Sequence, residues 1–157
     1  MIMKTKFIIL FLLLITLSSF SQSINDDKTS LTNFIKRMYN ATPFEGVKVI
    51  DDYDHQYFIS VLSLDKVKYP NDSMMNRVAQ VKGQSQANIF FNGSTISSDL
   101  VIKTTENKST DKISTAVESI ESIKENAMGF VKSMELLTNF ENTDGKRIVF
   151  IYYKEIK

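Results

Sequence analysis

The chain has 157 residues, with 19 basic and 18 acidic side chains, a formal charge of +1 and no cysteine. This near-neutral mixture argues against nucleic acid as a partner and against electrostatic docking on anionic lipid, since both need clustered positive charge. The lack of cysteine excludes thiol chemistry, disulfides and lipid attachment at a cysteine, so the core must hold the fold alone.

Residues 1–21 have the three-part pattern of a secretory signal peptide. The first six residues carry two lysines and no acid, and residues 7–17 form an apolar run. That run is well short of the roughly twenty residues that a membrane-spanning helix needs. Ser19 and Ser21 supply the small side chains that a signal peptidase accepts before the cut. The sequence therefore predicts cleavage after Ser21 and an exported chain whose residues 22–157 form a single domain.

The first element after the signal peptide is a predicted helix over about residues 30–40. Its apolar residues recur at the i, i+3, i+4 and i+7 spacing of one helix face; they are Leu31, Phe34, Ile35 and Met38. Thr29 or Ser30 is expected to cap this helix. Pro43 is expected to end it, because proline forces the preceding residue out of helical geometry.

Two strands are predicted next, over Val47–Tyr53 and Gln56–Leu64, because the second segment is dense in β-branched and aromatic residues. The turn between them holds a tight group of potential metal ligands, namely Asp51, Asp52, Asp54 and His55. Calcium loops normally contain a glycine and alternating carboxylates, and strand alternation aims consecutive side chains to opposite sides. We therefore expect a solvated hairpin end, and predict no metal, no cofactor and no catalytic residue.

The clearest predicted helix covers about residues 72–91, after Pro70. Asn71 or Asp72 is expected to cap it, and Gly93 to end it in a left-handed conformation. An apolar stripe contains Met74, Met75, Val78, Val81 and Ile89. Beside that stripe the small residues Ala79, Gly83 and Ala87 fall four apart, a ridge that would let the helix lie close against a sheet.

The C-terminal half is predicted as a strand over Ser94–Thr105, a loop over 106–112 and an ambiguous segment over 113–127. The spacing of that segment favours a helix, whereas its composition suits a strand. Gly129 is expected to end the preceding element and to be followed by a hairpin of two strands, Phe130–Phe140 and Lys146–Ile156. Asp144 and Gly145 favour the tight turn of that hairpin. The last strand is apolar on both faces, which predicts that it lies centrally in the sheet or is covered on both sides.

Two further functional hypotheses come from single residue types. Glu118, Glu121 and Glu125 have the spacing of a wet helix face, and a hydrolase would have to assemble a carboxylate pair from such residues. Tyr152 and Tyr153 could mark a partner-binding sheet face, although a tyrosine at a strand end more often forms the rim of a core.

One stretch resembles a known family. The helix from Met74 to Gly93, the Gly129-Phe-Val-Lys-Ser-Met-Glu-Leu-Leu segment and the closing Asp144-Gly-Lys-Arg-Ile-Val-Phe-Ile-Tyr-Tyr hairpin are similar to outer-membrane lipoproteins of the LPP-twenty type. The N-terminal domain of the flagellar assembly T protein looks similar. The resemblance covers about residues 74–156 and implies an alanine-rich helix on a small antiparallel sheet that serves envelope assembly or binding. The chain departs from that family by lacking the lipidated cysteine, and the match contains no functional residues to carry over.

The sequence as a whole predicts an α+β fold, with two or three helices on one face of a small, mostly antiparallel sheet of four to six strands. The predicted function is a non-catalytic exported module of the bacterial cell envelope that binds an envelope protein or another envelope component. The alternative is a small hydrolase of envelope polymers that uses paired carboxylates. Convergence of two acids in one pocket would distinguish the hydrolase from the binding module.

Overall fold

A computed structural model describes residues 27–52, 55–93, 100–104 and 110–156. The predicted signal peptide, the turn tip at Tyr53 and Asp54, most of the predicted strand at 94–105 and most of the loop at 106–112 lie outside the described residues. The chain divides into two compact units, Met1–Met38 and Tyr39–Lys157.

The described part of the first unit is a helix, α1, which covers residues 27–41 and ends just inside the second unit. It stops before Thr42 and Pro43, as predicted. It begins earlier than predicted, so Thr29 and Ser30 lie within the helix and the capping role expected for them is wrong. Leu31, Ile35 and Tyr39 are buried at a spacing of four, the period of one helix face.

The second unit contains a five-stranded sheet in the order β3-β1-β2-β5-β4. Its strands are β1 (Gly46–Asp52), β2 (His55–Asp65), β3 (Val101–Lys103), β4 (Glu135–Glu141) and β5 (Arg147–Glu155). Only the β1–β3 pair is parallel among these strands, so the predicted α+β class and the mostly antiparallel sheet are confirmed.

Three helices complete the described second unit: α2 (Asp72–Gly93), α3 (Thr110–Lys124) and α4 (Ala127–Lys132). Helix α2 contacts β1, β2 and β5, and α4 contacts α2 and α3. The ambiguous segment at 113–127 is therefore largely helical, as its spacing favoured.

Helix α4 contradicts two predictions. The strand does not begin at Phe130, and Gly129 does not separate two elements, because both residues lie inside the helix. The helical turn lets the Phe130 ring approach the rings of Phe58 and Phe91, with 5.5 Å between centroids in each pair. It also buries Val131, the next residue along the chain. Consecutive side chains of a strand would point to opposite faces, so a strand here could not place both residues in the same core.

Strand β5 is an interior strand, between β2 and β4, and the predicted cover on both sides is confirmed. All residues from Val149 to Tyr153 are buried, so both of its faces are covered. The β4–β5 turn is made by Gly145 at a φ of 69°, a conformation that glycine adopts without a steric penalty. Phe150 and Tyr152 belong to the core cluster between the sheet and helices α2 and α4.

Candidate interaction surface on helix α2

Helix α2 begins at the cap that the sequence predicted. The Asn71 side-chain oxygen accepts a hydrogen bond from the Met74 amide at 3.1 Å, which satisfies one of the free amides of the first turn. The far end differs from the prediction. Gly93 is the last helical residue and does not have a positive φ, so the left-handed stop expected there is wrong.

The buried face of α2 is made of small residues along its middle and of larger apolar residues, Met75, Phe90 and Phe91, toward its ends. Ala79, Gly83 and Ala87 are all buried, as the predicted ridge requires. A Cβ atom added to Gly83 would lie 2.8 Å from Cδ2 of Tyr152, closer than carbon atoms normally approach. The Ser60 hydroxyl on β2 lies 3.1 Å from the Gly83 carbonyl oxygen. The missing side chain therefore lets the backbone of α2 reach the sheet.

Four other apolar residues of α2 lie on the opposite face. Met74, Val81 and Ile89 are 54%, 67% and 68% exposed, and Val78 is partly exposed. We call Met74, Val78, Val81 and Ile89 the outer stripe. Of the apolar stripe expected from the sequence, only Met75 is buried. The outer stripe is exposed because it lies on the side of the helix away from Ala79, Gly83 and Ala87.

A hollow lies at the N-terminal end of the outer stripe. It has a volume of about 450 Å³ and is lined by Asn71, Ser73, Met74, Arg77 and Val78. Since Met74 and Val78 belong to both features, the hollow and the outer stripe form one continuous surface.

Two positive side chains accompany the outer stripe. Arg77 and Lys82 are exposed, and neither forms an ion pair with any residue that the structure describes. The only acid in the α2 sequence is Asp72, in the first turn. The exposed face of the helix is thus apolar along its centre and positive at its sides.

The acidic group at the β1–β2 hairpin spreads over several environments. Asp51 is buried beside the amide of Gln56, with 3.4 Å between Nε2 and Oδ1. Asp52, the next residue on β1, accepts a hydrogen bond of 2.6 Å from the Thr104 hydroxyl. His55 lies at the start of β2, half exposed, with Nδ1 2.6 Å from a carboxylate oxygen of Glu155. Asp54 lies outside the described residues.

Gln56 is the one described residue with a buried side-chain oxygen, Oε1, that lacks a hydrogen-bond partner. Its amide orientation is fixed by Asp51, because the reversed amide would aim an oxygen at a carboxylate. No group of three or more metal-ligating side chains occurs in the part of the chain that the structure describes.

The three glutamates considered for a carboxylate pair, Glu118, Glu121 and Glu125, are all exposed. Glu118 and Glu121 lie on α3, Glu125 follows its last residue, and Glu121 pairs with Lys124 at 3.0 Å. Ile120, on the other side of this helix, is buried. The glutamates are therefore exposed to solvent, as predicted. No hydrogen bond among the described residues joins them to Asp51 or Asp52.

Tyr152 and Tyr153 do not form an exposed sheet face. Both rings are buried, and Tyr152 lies against Gly83. Burial raises the pKa of the Tyr152 hydroxyl above its usual value. The suggestion of a partner-binding tyrosine face is therefore wrong.

Sequence reasoning missed a polar cluster where β2 and β5 meet the loop before β1. The Ser63 hydroxyl donates a short hydrogen bond to Glu45, and Arg147 donates to the Ser63 carbonyl oxygen at 3.0 Å. Arg147 also lies 3.6 Å from Glu45. Burial, and then the negative charge of Glu45, raise the pKa of the neighbouring Tyr39. These residues are far apart in sequence, so no local pattern could have grouped them.

None of the described helices is both long enough and apolar enough to cross a membrane. Comparison with protein-family models, with curated protein sequences and with solved structures finds no match to this chain.

Proposed function

We propose that this protein is a non-catalytic binding module whose docking surface is the outer stripe of α2. The observation that carries the proposal is the exposure of large apolar side chains on this helix. Met74, Val81 and Ile89 stay more than half exposed, on the side of α2 that faces away from its buried residues. Exposed apolar residues on one face of a helix, next to a hollow, are typical of protein-interaction sites.

The alternative, a hydrolase with paired carboxylates, has less support from the described residues. It would need two acids that meet in one pocket. Asp51 is buried against an amide, Asp52 is engaged by Thr104, and Glu121 is paired with Lys124. None of the described residues that line the hollow beside α2 carries a carboxylate.

Placement in the bacterial cell envelope is part of the same proposal and is supported by residues 1–21. Their charged start, short apolar run and small exit residues fit export with cleavage after Ser21. The similarity of residues 74–156 to lipoproteins of the LPP-twenty type points to the same compartment. Intact-mass measurement of exported protein tests this part: we expect a chain that starts at Gln22, and a form that retains residues 1–21 in the membrane fraction would contradict it.

Photocrosslinking tests the docking surface itself. A photoreactive amino acid at Val81 or Ile89 is expected to yield one discrete adduct in intact cells, to be identified by mass spectrometry. The same amino acid at Lys132, exposed on α4, serves as the matched control. Equal yields at Val81 and Lys132, or no adduct at either stripe position, would contradict a docking role for α2.

A further inference from the structure

We infer that the partner of the outer stripe is an amphipathic helix of another protein whose apolar seam is flanked by carboxylates. This inference rests on the proposed function and adds the chemistry of the partner. Three features of α2 carry it: the spacing of its exposed residues, the positions of its unpaired cations and the hollow at one end.

The spacing matches that of a coiled-coil seam. Met74, Val78, Val81 and Ser85 follow one another at intervals of four, three and four residues, which is the alternation of heptad positions d and a. Val81 and Ser85 are exposed together with Met74. Ile89 falls at position e, on the flank of this seam, and from Met74 to Ser85 the helix rises about 16 Å. A second helix can lay its own apolar seam along this row, whereas an extended strand would not match the interval of 3.5 residues.

The cations occupy the positions that select a partner in helix pairs. With Met74 at d, Arg77 falls at g and Lys82 at e, one on each side of the seam. Side chains at e and g form the interhelical ion pairs that set partner choice and orientation. Since neither cation is paired with a described residue and α2 has no acid after Asp72, the complementary helix carries Asp or Glu beside its apolar seam.

The hollow explains where the contact would be anchored. It adjoins Met74 and Val78 and has room for a bulky apolar side chain of a partner. Side chains that contribute most to binding in protein interfaces are typically seated in well-packed pockets from which water is excluded. We therefore place the strongest contact at the N-terminal half of α2, where the seam is apolar.

A second copy of this chain fits the outer stripe less well. In a two-fold contact α2 would meet itself, and its positive sides would face positive sides.

An anionic membrane also fits less well. Helices that lie in a membrane surface carry many Lys and Arg residues and large apolar residues such as Trp, Phe or Leu. The exposed face of α2 has two cations, no aromatic residue, and polar residues at Ser85, Asn88 and Asn92.

Two synthetic peptides test the inference on the full chain. Each has about three heptads with leucine at a and d, and they differ only in having glutamate or lysine at e and g, so like charges keep both from pairing with themselves. We expect the glutamate peptide to bind, with NMR shift changes at Met74, Val78 and Val81, and the lysine peptide to bind at least about tenfold more weakly. Binding of the glutamate peptide should weaken as salt rises.

Charge reversal is the matched control. The double variant R77E/K82E is expected to prefer the lysine peptide, and Val81→Asp to bind neither. Equal binding of both peptides to the wild-type chain, or an unchanged preference in R77E/K82E, would overturn the inference. So would stronger association with phosphatidylglycerol vesicles than with the glutamate peptide, or a dimer in ultracentrifugation that Val81→Asp dissociates.

The two proposals can fail separately. A specific crosslink from Val81 to a protein, combined with no preference for the glutamate peptide, would reject the acidic helix and keep the docking surface. The absence of any stripe-specific crosslink would reject both.

Discussion

Gly83 determines how closely helix α2 approaches the sheet, because its missing side chain leaves room for the ring of Tyr152. An added Cβ would lie 2.8 Å from Cδ2 and 3.3 Å from Cε2 of that ring. The ring is itself buried in the core, so it has little freedom to retreat. The cost of glycine in a helix, about 1 kcal/mol relative to alanine, is therefore offset by packing.

We predict that Gly83→Leu lowers the free energy of unfolding by roughly 1–3 kcal/mol, the usual cost of overpacking a core. Denaturant unfolding measures it. Ser85→Ala, two residues away on the exposed face, is the control and should stabilise the helix slightly. A rise in stability on Gly83→Leu would show that this position is exposed and that the helix is oriented differently.

Tyr152 gives the protein a pH dependence at alkaline pH. Burial raises its pKa above the usual 10.0, so the folded state holds the phenolic proton more tightly than the unfolded chain does. The stability that follows from this is fully present below pH 10 and is lost as the pH rises through the raised pKa. We expect Tyr152→Phe to lose less stability than the wild-type chain between pH 9 and pH 11, as measured by urea unfolding. Equal slopes of stability against pH for the two proteins would contradict the assignment.

At the scale of elements, α2 has one face for the core and one for solvent, and aspartate substitutions distinguish them. Val81→Asp is expected to change stability by no more than about 0.5 kcal/mol, as at an ordinary surface site. Ala79→Asp, two residues earlier but completely buried, is expected to unfold the protein or cost several kcal/mol, because it buries an unpaired charge. Thermal unfolding of both variants measures the contrast. Similar losses at the two positions would mean that the outer stripe is covered within the chain.

Elements with a strong local signal were predicted from the sequence. The β1–β2 hairpin, α2, the Asp-Gly turn at Gly145 and the cover on both faces of β5 all follow from spacing, composition or turn chemistry. Helix α4 was missed because Phe130 and Val131 have high strand propensity, and only contacts with Phe58 and Phe91 make the helical turn favourable.

The candidate surface was predicted only in part. The sequence shows that α2 has both an apolar stripe and a small ridge, and it predicts close packing for the ridge. Which of the two remains exposed depends on the shape of the sheet beneath, where Tyr152 occupies the space opposite Gly83. That information comes from a residue 69 positions later in the chain, so no local pattern contains it.

At the scale of the whole molecule, the polar groups suited to catalysis and the residues suited to binding a partner lie in different environments. The polar groups that could carry chemistry are mostly engaged with one another: Glu45 with Ser63 and Arg147, and Asp52 with Thr104. The cations of α2 form no ion pair with a described residue, and the apolar residues of the outer stripe are exposed. This contrast supports the proposed binding function over the alternative hydrolase.

Metal independence is the last prediction and concerns the protein as a whole. A metal bound only by the folded state would stabilise it by RT ln(1 + [L]/Kd), about 2.7 kcal/mol at a hundredfold excess over Kd. We expect a chelator to leave the melting temperature unchanged, because Asp51 and Asp52 occupy consecutive strand positions and their side chains point to opposite faces of the sheet. His55→Ala should cost no more than about 0.5 kcal/mol, since its pair with Glu155 is half exposed. A fall of several degrees on chelation that calcium restores, and that Asp52→Asn abolishes, would instead make the β1–β2 hairpin a metal-binding loop.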